Sequence, residues 1–202
     1  MEVTPLAIEG AYVVTPRQHR DDRGVFLESF RGDLLAKHLG YRPDVVQTNV
    51  SVSSRGTVRG IHLTDVPPGQ AKYVTCLAGS LLDVVVDLRT GSPTFGQWDS
   101  VLLDTTERQA VYLAEGLGHA FCALEDNTTA LYLCTAAYSP SAERGITPLD
   151  PDVGIDWPLG ATPLLSPKDA DAPTLAEALK AGRLPTWDAC RAYGAQLAQR
   201  GN

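Results

Sequence analysis

The sequence predicts an all-β fold, an antiparallel jelly-roll barrel with a short helical C-terminal appendage. Three observations predict it. Short runs rich in Val, Leu, Tyr and Thr recur near 11–15, 25–29, 45–53, 57–64, 72–77, 81–88, 97–103, 109–113, 119–124 and 129–137. Turn-forming stretches such as "DDRG", "PPGQ", "LAGS", "TGSP" and "EDNT" separate many of them. Helical patterning is confined to one short early segment and to the chain after Asp169.

Taken in order, the runs at 11–15 and 25–29 flank the "DDRG" turn, and the first helix follows as "GDLLAKHLG", with Asp33 placed to cap it and Gly40 placed to end it. The remaining runs follow at the close spacing of a sandwich or barrel. In the tail, "TLAEALKAG" carries a capping box in Thr174 and Glu177 and a stop at Gly182, and Thr186 is placed to cap "WDACRAYGAQLAQR". No internal repeat, low-complexity tract or linker interrupts the chain. It reads as one domain over 1–202, with a jelly-roll core at about 5–160 and a helical segment at about 169–202.

Composition narrows the function classes. A chain of 202 residues, 44% hydrophobic and 20% charged, has enough apolar side chains for a substantial core. Its formal net charge of −7 argues against nonspecific capture of nucleic acid or anionic membrane, so any anion site must be compact. The N-terminus lacks a basic region followed by a long apolar stretch, and "LLDVVVDL" is interrupted by Asp83 and Asp87 and too short to span a bilayer. A cytoplasmic protein is expected. Cys76, Cys122, Cys134 and Cys190 form no CxxC pair and are expected as reduced, buried thiols.

Strand parity picks out polar groups where a closed barrel would want apolar ones. Gln47 and Asn49 share a face, as do Lys72, Val74 and Cys76, His119 and Phe121, and Tyr132 and Cys134. Taken singly, Gln47 and Asn49 suit backbone pairing, and His62 and His119 divide evenly between core and site. Lys72 is harder to dismiss, because an inward ammonium without an anionic partner is costly. The run "TVRGIHLT" adds a geometric problem: on a regular strand Arg59 and His62 point to opposite faces. They share a site only if the strand breaks its alternation, and Gly60 is the residue between them that bulges at low steric cost.

Two histidines in a jelly roll also raise the metal-binding cupin reading. The first segment has His62 followed by Leu63 and Thr64, so the expected HxH pair is missing, as is the glutamate that should follow it; Asp65 is too close. Two imidazoles fall short of the three protein ligands a catalytic site usually has, and no metal is expected.

The segments "DDRGVFLESF", "VVQTNVSVSSRGTVRGIH", "PPGQAKYVTCLAGSLLDVVVDLRTGSPTFGQW", "VYLAEGLGHAF", "LYLCTAAYSPSAERGI", "DPDVGIDWPL" and "LLSPKDADAPTL" together resemble the dTDP-4-dehydrorhamnose 3,5-epimerase family, in an actinobacterial-type form, over roughly residues 5–185. The resemblance implies a cupin-like barrel needing no metal or cofactor, a homodimer, and epimerisation of a dTDP-4-keto-6-deoxyhexose at C3, C5 or both. A ketone at C4 acidifies the hydrogens on C3 and C5, so the reaction needs a base on one face of the sugar, an acid on the other and stabilisation of the enolate between them. The resemblance assigns His62 as the base, Tyr132 as the opposite-face acid, Asp169 as the carboxylate pairing with His62, and Lys72 as the cation near the ketone oxygen. It assigns substrate contacts to Gln47, Asn49, Arg59, His119, Glu143 and Lys168, with Arg59 suited to diphosphate, and thymine stacking to Tyr138. Arg23 and Glu28 match residues contributed across the subunit interface. Read from spacing alone, Asp169 is a helix-proximal cap, Tyr138 a strand-end surface residue, Arg23 a turn residue and Glu28 a solvated strand residue.

The chain departs from the family pattern at Thr48, often acidic, at Leu63, commonly tyrosine, and at Leu133, frequently lysine. None of these removes a catalytic group. The alternatives are a mono-epimerase acting at one carbon or a 3,4-ketoisomerase of the same substrate class, which differs in its proton-relay residues. A metal-dependent cupin enzyme and a catalytically silent sugar-nucleotide-binding module stand further off.

Overall fold

The computed structural model describes residues 1–200; the last two residues of the expected C-terminal segment lie outside the described residues. The described residues form thirteen strands and four helices: β1 (Glu2–Pro5), β2 (Ala11–Thr15), β3 (Gln18–Asp21), β4 (Gly24–Leu27), α1 (Gly32–Leu39), β5 (Gln47–Ser53), β6 (Val58–Thr64), β7 (Lys72–Ala78), β8 (Ser80–Val86), β9 (Trp98–Asp104), β10 (Ala110–Leu113), β11 (Gly118–Ala123), β12 (Thr128–Cys134), β13 (Glu143–Gly145), α2 (Pro167–Ala170), α3 (Leu175–Lys180) and α4 (Trp187–Arg200). A six-stranded sheet runs β1-β2-β10-β7-β12-β5 and faces a five-stranded sheet ordered β13-β6-β11-β8-β9. The strand pairs within both are antiparallel, which is the jelly-roll arrangement expected. The β3–β4 hairpin stands apart from both sheets.

Between the sheets, Val74, Val111, Leu113 and Ala130 of one layer pack on Leu81, Val85, Leu103 and Phe121 of the other. The outer face of the five-stranded sheet is covered as well. Ile61, Leu63, Val84, Val86 and Ala120 meet Ile146, Val153, Leu175 and Ala178 of the later chain. Burial on both faces is why β8 reads as a nearly continuous apolar run rather than an alternating one. On the six-stranded sheet, Leu35 of α1 covers Val14, Tyr73 and Tyr112. That cover stops short of β5, where Val50 and Val52 remain exposed on the outer face of an edge strand.

Most helix signals hold. Gly40 ends α1 in the left-handed conformation, Thr174 and Glu177 form the capping box of α3, and the Thr186 hydroxyl accepts from Ala189 N at the start of α4. Asp33 is a correction. Arg31 occupies the cap position of α1 without a side-chain cap bond, and Asp33 lies in the first turn, where it pairs with Arg31 at 2.7 Å. A carboxylate there still favours the positive end of the helix dipole. Strands β1, β3 and β13 and helix α2 were not expected. They are three or four residues long, too short to show a periodicity. Among the described residues no helix is long and apolar enough to cross a membrane.

Candidate active site

A cavity of about 290 Å³ opens between the two sheets. Strand β5 contributes Gln47 and Asn49, β6 Arg59 and His62, β7 Lys72, β11 His119 and Phe121, and β12 Tyr132 and Cys134. Gln70 and Tyr138 from connecting segments, Glu143 from β13 and Lys168 from α2 complete its wall. A larger cavity of about 430 Å³, bounded by Glu143, Arg144, Pro173 and Arg183, shares Glu143 with it but is lined by no histidine or tyrosine.

Arg59 and His62 reach the same cavity because β6 is bulged. On the pairing with β11, His62 stands opposite His119 and Arg59 opposite Phe121, so β6 uses three steps where β11 uses two. The extra residue lies at Gly60–Ile61, and Gly60 has a φ of +125°, a conformation that side chains disfavour. A Cβ on Gly60 would fall 2.6 Å from both Ala120 Cβ and the His119 carbonyl oxygen. The local packing therefore demands glycine twice over, once for conformation and once for space.

Each histidine is backed by a buried carboxylate. His62 Nε2 lies 2.6 Å from Asp169 Oδ1. Asp169 sits in the first turn of α2, whose cap residue Ser166 accepts from the Asp169 amide. Burial opposes ionisation of Asp169, but the His62 ring, Ser166 and the Gly60 backbone outweigh it and hold the carboxyl below its ordinary value. An ionised Asp169 accepts from Nε2–H, which leaves Nδ1 as the basic nitrogen of the neutral ring. His119 Nε2 lies 2.7 Å from Asp83 Oδ2. The second Asp83 oxygen is buried without a hydrogen-bond partner among the described residues.

Tyr132 enters from the facing sheet. Its ring stands edge-on to His119 with centroids 5.9 Å apart, and lies 6.3 Å from Phe121. Its hydroxyl is 3.3 Å from Ser51 Oγ. Burial pushes the phenol pKa far up, so it stays neutral and keeps its proton at working pH. Lys72 is buried, and burial pulls its pKa down, with Glu143 opposing. Among the described residues it has no salt-bridge partner within 4.0 Å, so its charge is left for a group in the cavity.

The inner edge of β5 orders the rest. Gln47 Nε2 donates to Asn49 Oδ1 at 2.9 Å, and Gln47 Oε1 accepts from the Tyr138 amide at 2.8 Å. Asn49 Nδ2 approaches Cys134 Sγ at 3.8 Å. Arg59 Nε donates to Ser53 Oγ at 3.1 Å, which leaves the terminal nitrogens of the fork for an anion. Lys168 and Tyr138 are exposed at the mouth. The four cysteines are free and buried as expected, and Cys134 also lines the cavity.

The one-chain structure gathers most but not all of the expected residues. Gln47, Asn49, Arg59, His62, Lys72, His119, Tyr132, Tyr138, Glu143 and Lys168 line the cavity, and Asp169 stands directly behind His62. Arg23 and Glu28 do not line it. Arg23 projects from the β3–β4 turn and pairs with Asp21, while Glu28 pairs with Arg31 at 2.9 Å. Several participants escaped the sequence reading: Asp83, Gln70, Ser51 and Ser53. Asp83 had a signal, an acid within an apolar run on the face it shares with Leu81 and Val85. Ser51 and Ser53 continue the parity of Gln47 and Asn49. Among the described residues no group of three His, Cys, Asp or Glu side chains gathers in a metal-holding cluster.

The model of the family described as dTDP-4-dehydrorhamnose 3,5-epimerase matches residues 5–177. The chain belongs to that family. It is 56% identical over 192 residues to a dTDP-4-dehydrorhamnose 3-epimerase of Streptomyces niveus, covering 95% of this chain and 92% of that one. It is 51% identical over 193 residues to a dTDP-4-dehydrorhamnose 3,5-epimerase of Mycolicibacterium smegmatis, covering 96% and 95%. Among solved structures it resembles ChmJ, a 3'-monoepimerase from Streptomyces bikiniensis in complex with dTDP-quinovose, with a TM-score of 0.94, 49% identity and coverage of 97% and 99%. Membership makes the chain an isomerase with the cupin-like jelly roll of its family.

Proposed function

We propose that this protein epimerises a dTDP-4-keto-6-deoxyhexose at C3, at C5 or at both, in deoxysugar biosynthesis. The observation that carries the reading is the placement of base and acid: His62 comes from the five-stranded sheet and Tyr132 from the six-stranded sheet, on one cavity. A sugar held between the sheets offers one ring face to each.

His62, its Nε2–H donated to Asp169, removes the proton alpha to the C4 ketone through Nδ1. The electron pair moves into the ring as an enolate, and the Asp169 carboxylate stabilises the imidazolium. Lys72 sits where its ammonium offsets the charge developing on the ketone oxygen. Tyr132 then gives its proton to the opposite face of the same carbon and the C–H bond re-forms with inverted configuration; solvent afterwards takes the proton from the His62 imidazolium and returns one to the Tyr132 phenolate. No redox change occurs at any step. Arg59 takes the diphosphate and Tyr138 stacks on thymine, while Gln47, Asn49, His119, Glu143 and Lys168 supply the remaining contacts. The ligand named for the Streptomyces bikiniensis relative, a dTDP-sugar, supports this substrate class.

Arg23 and Glu28 complete the site from a second subunit of a homodimer in this reading. Two features support it: Phe26 on the β3–β4 hairpin is 70% exposed, and the outer face of edge strand β5 leaves Val50 and Val52 uncovered. A cytoplasmic location and a single domain fit the same reading.

Relatives named as 3-epimerases and as 3,5-epimerases resemble the chain to similar degrees, so the mono-epimerase reading stands beside the double one. Incubation with dTDP-4-keto-6-deoxyglucose, borohydride reduction and NMR of the trapped sugars tests both. Inversion at C3, C5 or both is expected and identifies the carbon. A 3-keto product would replace the reading with ketoisomerisation, and unchanged substrate would overturn it.

A further inference from the structure

Tyr132 has a hydrogen-bonding neighbour to which the mechanism above gives no role. The Ser51 hydroxyl lies 3.3 Å from the phenol oxygen, on the strand directly paired to β12. It is the only hydrogen-bond partner of that phenol among the described residues; the ring's other close neighbours, His119 and Phe121, touch it through their rings. We propose that Ser51 is a positioning residue for Tyr132: it fixes the phenol during abstraction and donates to the phenolate once the proton has gone to carbon. The inference rests on the epimerase reading and concerns its second half-reaction alone.

Two physical arguments converge on this role. Burial raises the cost of charge on the Tyr132 oxygen, while the Ser51 contact works in the opposite direction. A phenol oxygen accepts as well as donates, so Ser51 donates to its lone pair, leaves the Tyr132 O–H free for the sugar carbon, and goes on donating to the phenolate without moving its oxygen. Such a bond is stronger to the charged form than to the neutral one, so it favours the state that follows proton transfer. The strand geometry sets it apart from a filler. Ser51 and Ser53 continue the inward row begun by Gln47 and Asn49, and Ser53 holds Arg59 in the way that Ser51 holds Tyr132. The opposite face of β5 carries Val50 and Val52, exposed. Four polar groups therefore face in, while Val50 and Val52 beside Thr48 face out, the reverse of an ordinary barrel strand.

Abstraction by His62 does not involve the phenol, so the two half-reactions separate Ser51 from a general structural role. Ser51→Ala, Ser51→Thr and, as a benchmark, Tyr132→Phe are compared with wild type in D2O with dTDP-4-keto-6-deoxyglucose. Deuterium at the original configuration is scored against net epimer. For Ser51→Ala, exchange with retention is expected within about threefold of wild type while epimer formation falls about tenfold, the scale of a lost hydrogen bond to a charged group. Ser51→Thr keeps the hydroxyl and should recover most of the epimer. Thermal melts establish that each variant is folded. Equal losses of exchange and epimer in folded Ser51→Ala, unchanged epimer formation, or no recovery in folded Ser51→Thr would overturn the proposal. Absence of both activities in wild type would instead sink the epimerase reading.

Discussion

Arg59 and His62 face one cavity although three positions apart on one strand, because the strand carries an extra residue at Gly60. That single irregularity brings both side chains to one cavity wall. In Gly60→Ala the new Cβ meets Ala120 Cβ and the His119 carbonyl oxygen at 2.6 Å in a backbone conformation that already disfavours side chains. Destabilisation of about 3 kcal/mol is expected. Gly79→Ala is the control, since Gly79 is also at positive φ and its Cβ would fall 2.7 Å from Thr128 Oγ1, away from the cavity. Corrected for folded fraction, Gly60→Ala should lose dTDP affinity and turnover together, whereas Gly79→Ala should lose neither. Normal kinetics in folded Gly60→Ala would show that the bulge does not position the two side chains.

Asp169→Asn tests the carboxylate behind His62. The amide cannot stabilise an imidazolium and presents the ring with a different donor set, so turnover should drop by about two orders of magnitude. The stability effect has a definite sign. The folded-state pKa of Asp169 lies below its ordinary 3.8, so its contribution is complete above that value and is lost as pH falls through the lower folded-state one. Melting temperatures of wild type and Asp169→Asn should therefore differ most at neutral pH and converge on acidification below about pH 4. A constant difference across that range would contradict the ionised carboxylate.

Lys72 is kept at a cost to the fold. Burial lowers its pKa from the ordinary 10.5, so the unfolded chain binds more protons between the folded value and 10.5, and stability rises with pH through that window. Lys72→Met, similar in volume and without charge, should melt at an equal or higher temperature, lose that rise, and turn over about 100-fold more slowly. A variant that is both less stable and fully active would show that Lys72 serves packing and not the enolate.

Much of the site was legible because strand alternation is a rigid rule. Gln47 with Asn49, and Lys72, His119 and Tyr132, each break the apolar inner face of a strand, and all of them line the cavity. Asp169 and Tyr138 were legible only through family resemblance, since a short helix after a long loop gives no periodicity that aims a side chain. Asp83 escaped because the burial of β8 on both faces hides which face its acid takes. Strand β3 escaped because "QHRD" is wholly polar; it pairs only with β4, outside both sheets. The capping role expected of Asp33 failed because the helix begins two residues earlier: Arg31 takes the cap position, and Asp33 falls inside the first turn, paired with Arg31.

Complementation tests the second subunit. Arg23→Ala and His62→Asn are each expected to be nearly inactive alone. If Arg23 acts across the interface, unfolding and refolding the two together creates mixed dimers with one complete site, restoring up to about a quarter of wild-type activity for random pairing. No recovery in mixed dimers demonstrated by tagged co-purification would confine Arg23 to its own subunit.

In the proposed reaction His62 takes a carbon-bound proton from the sugar and Tyr132 returns one to the other face. Solvent deuterium incorporation at C3 and C5 of dTDP-4-keto-6-deoxyglucose, followed by NMR for wild type and His62→Asn, tests it most directly. Wild type should place deuterium at every carbon it inverts, and His62→Asn should place none above the enzyme-free rate while binding dTDP with near wild-type affinity. Exchange by His62→Asn at close to the wild-type rate would contradict the account.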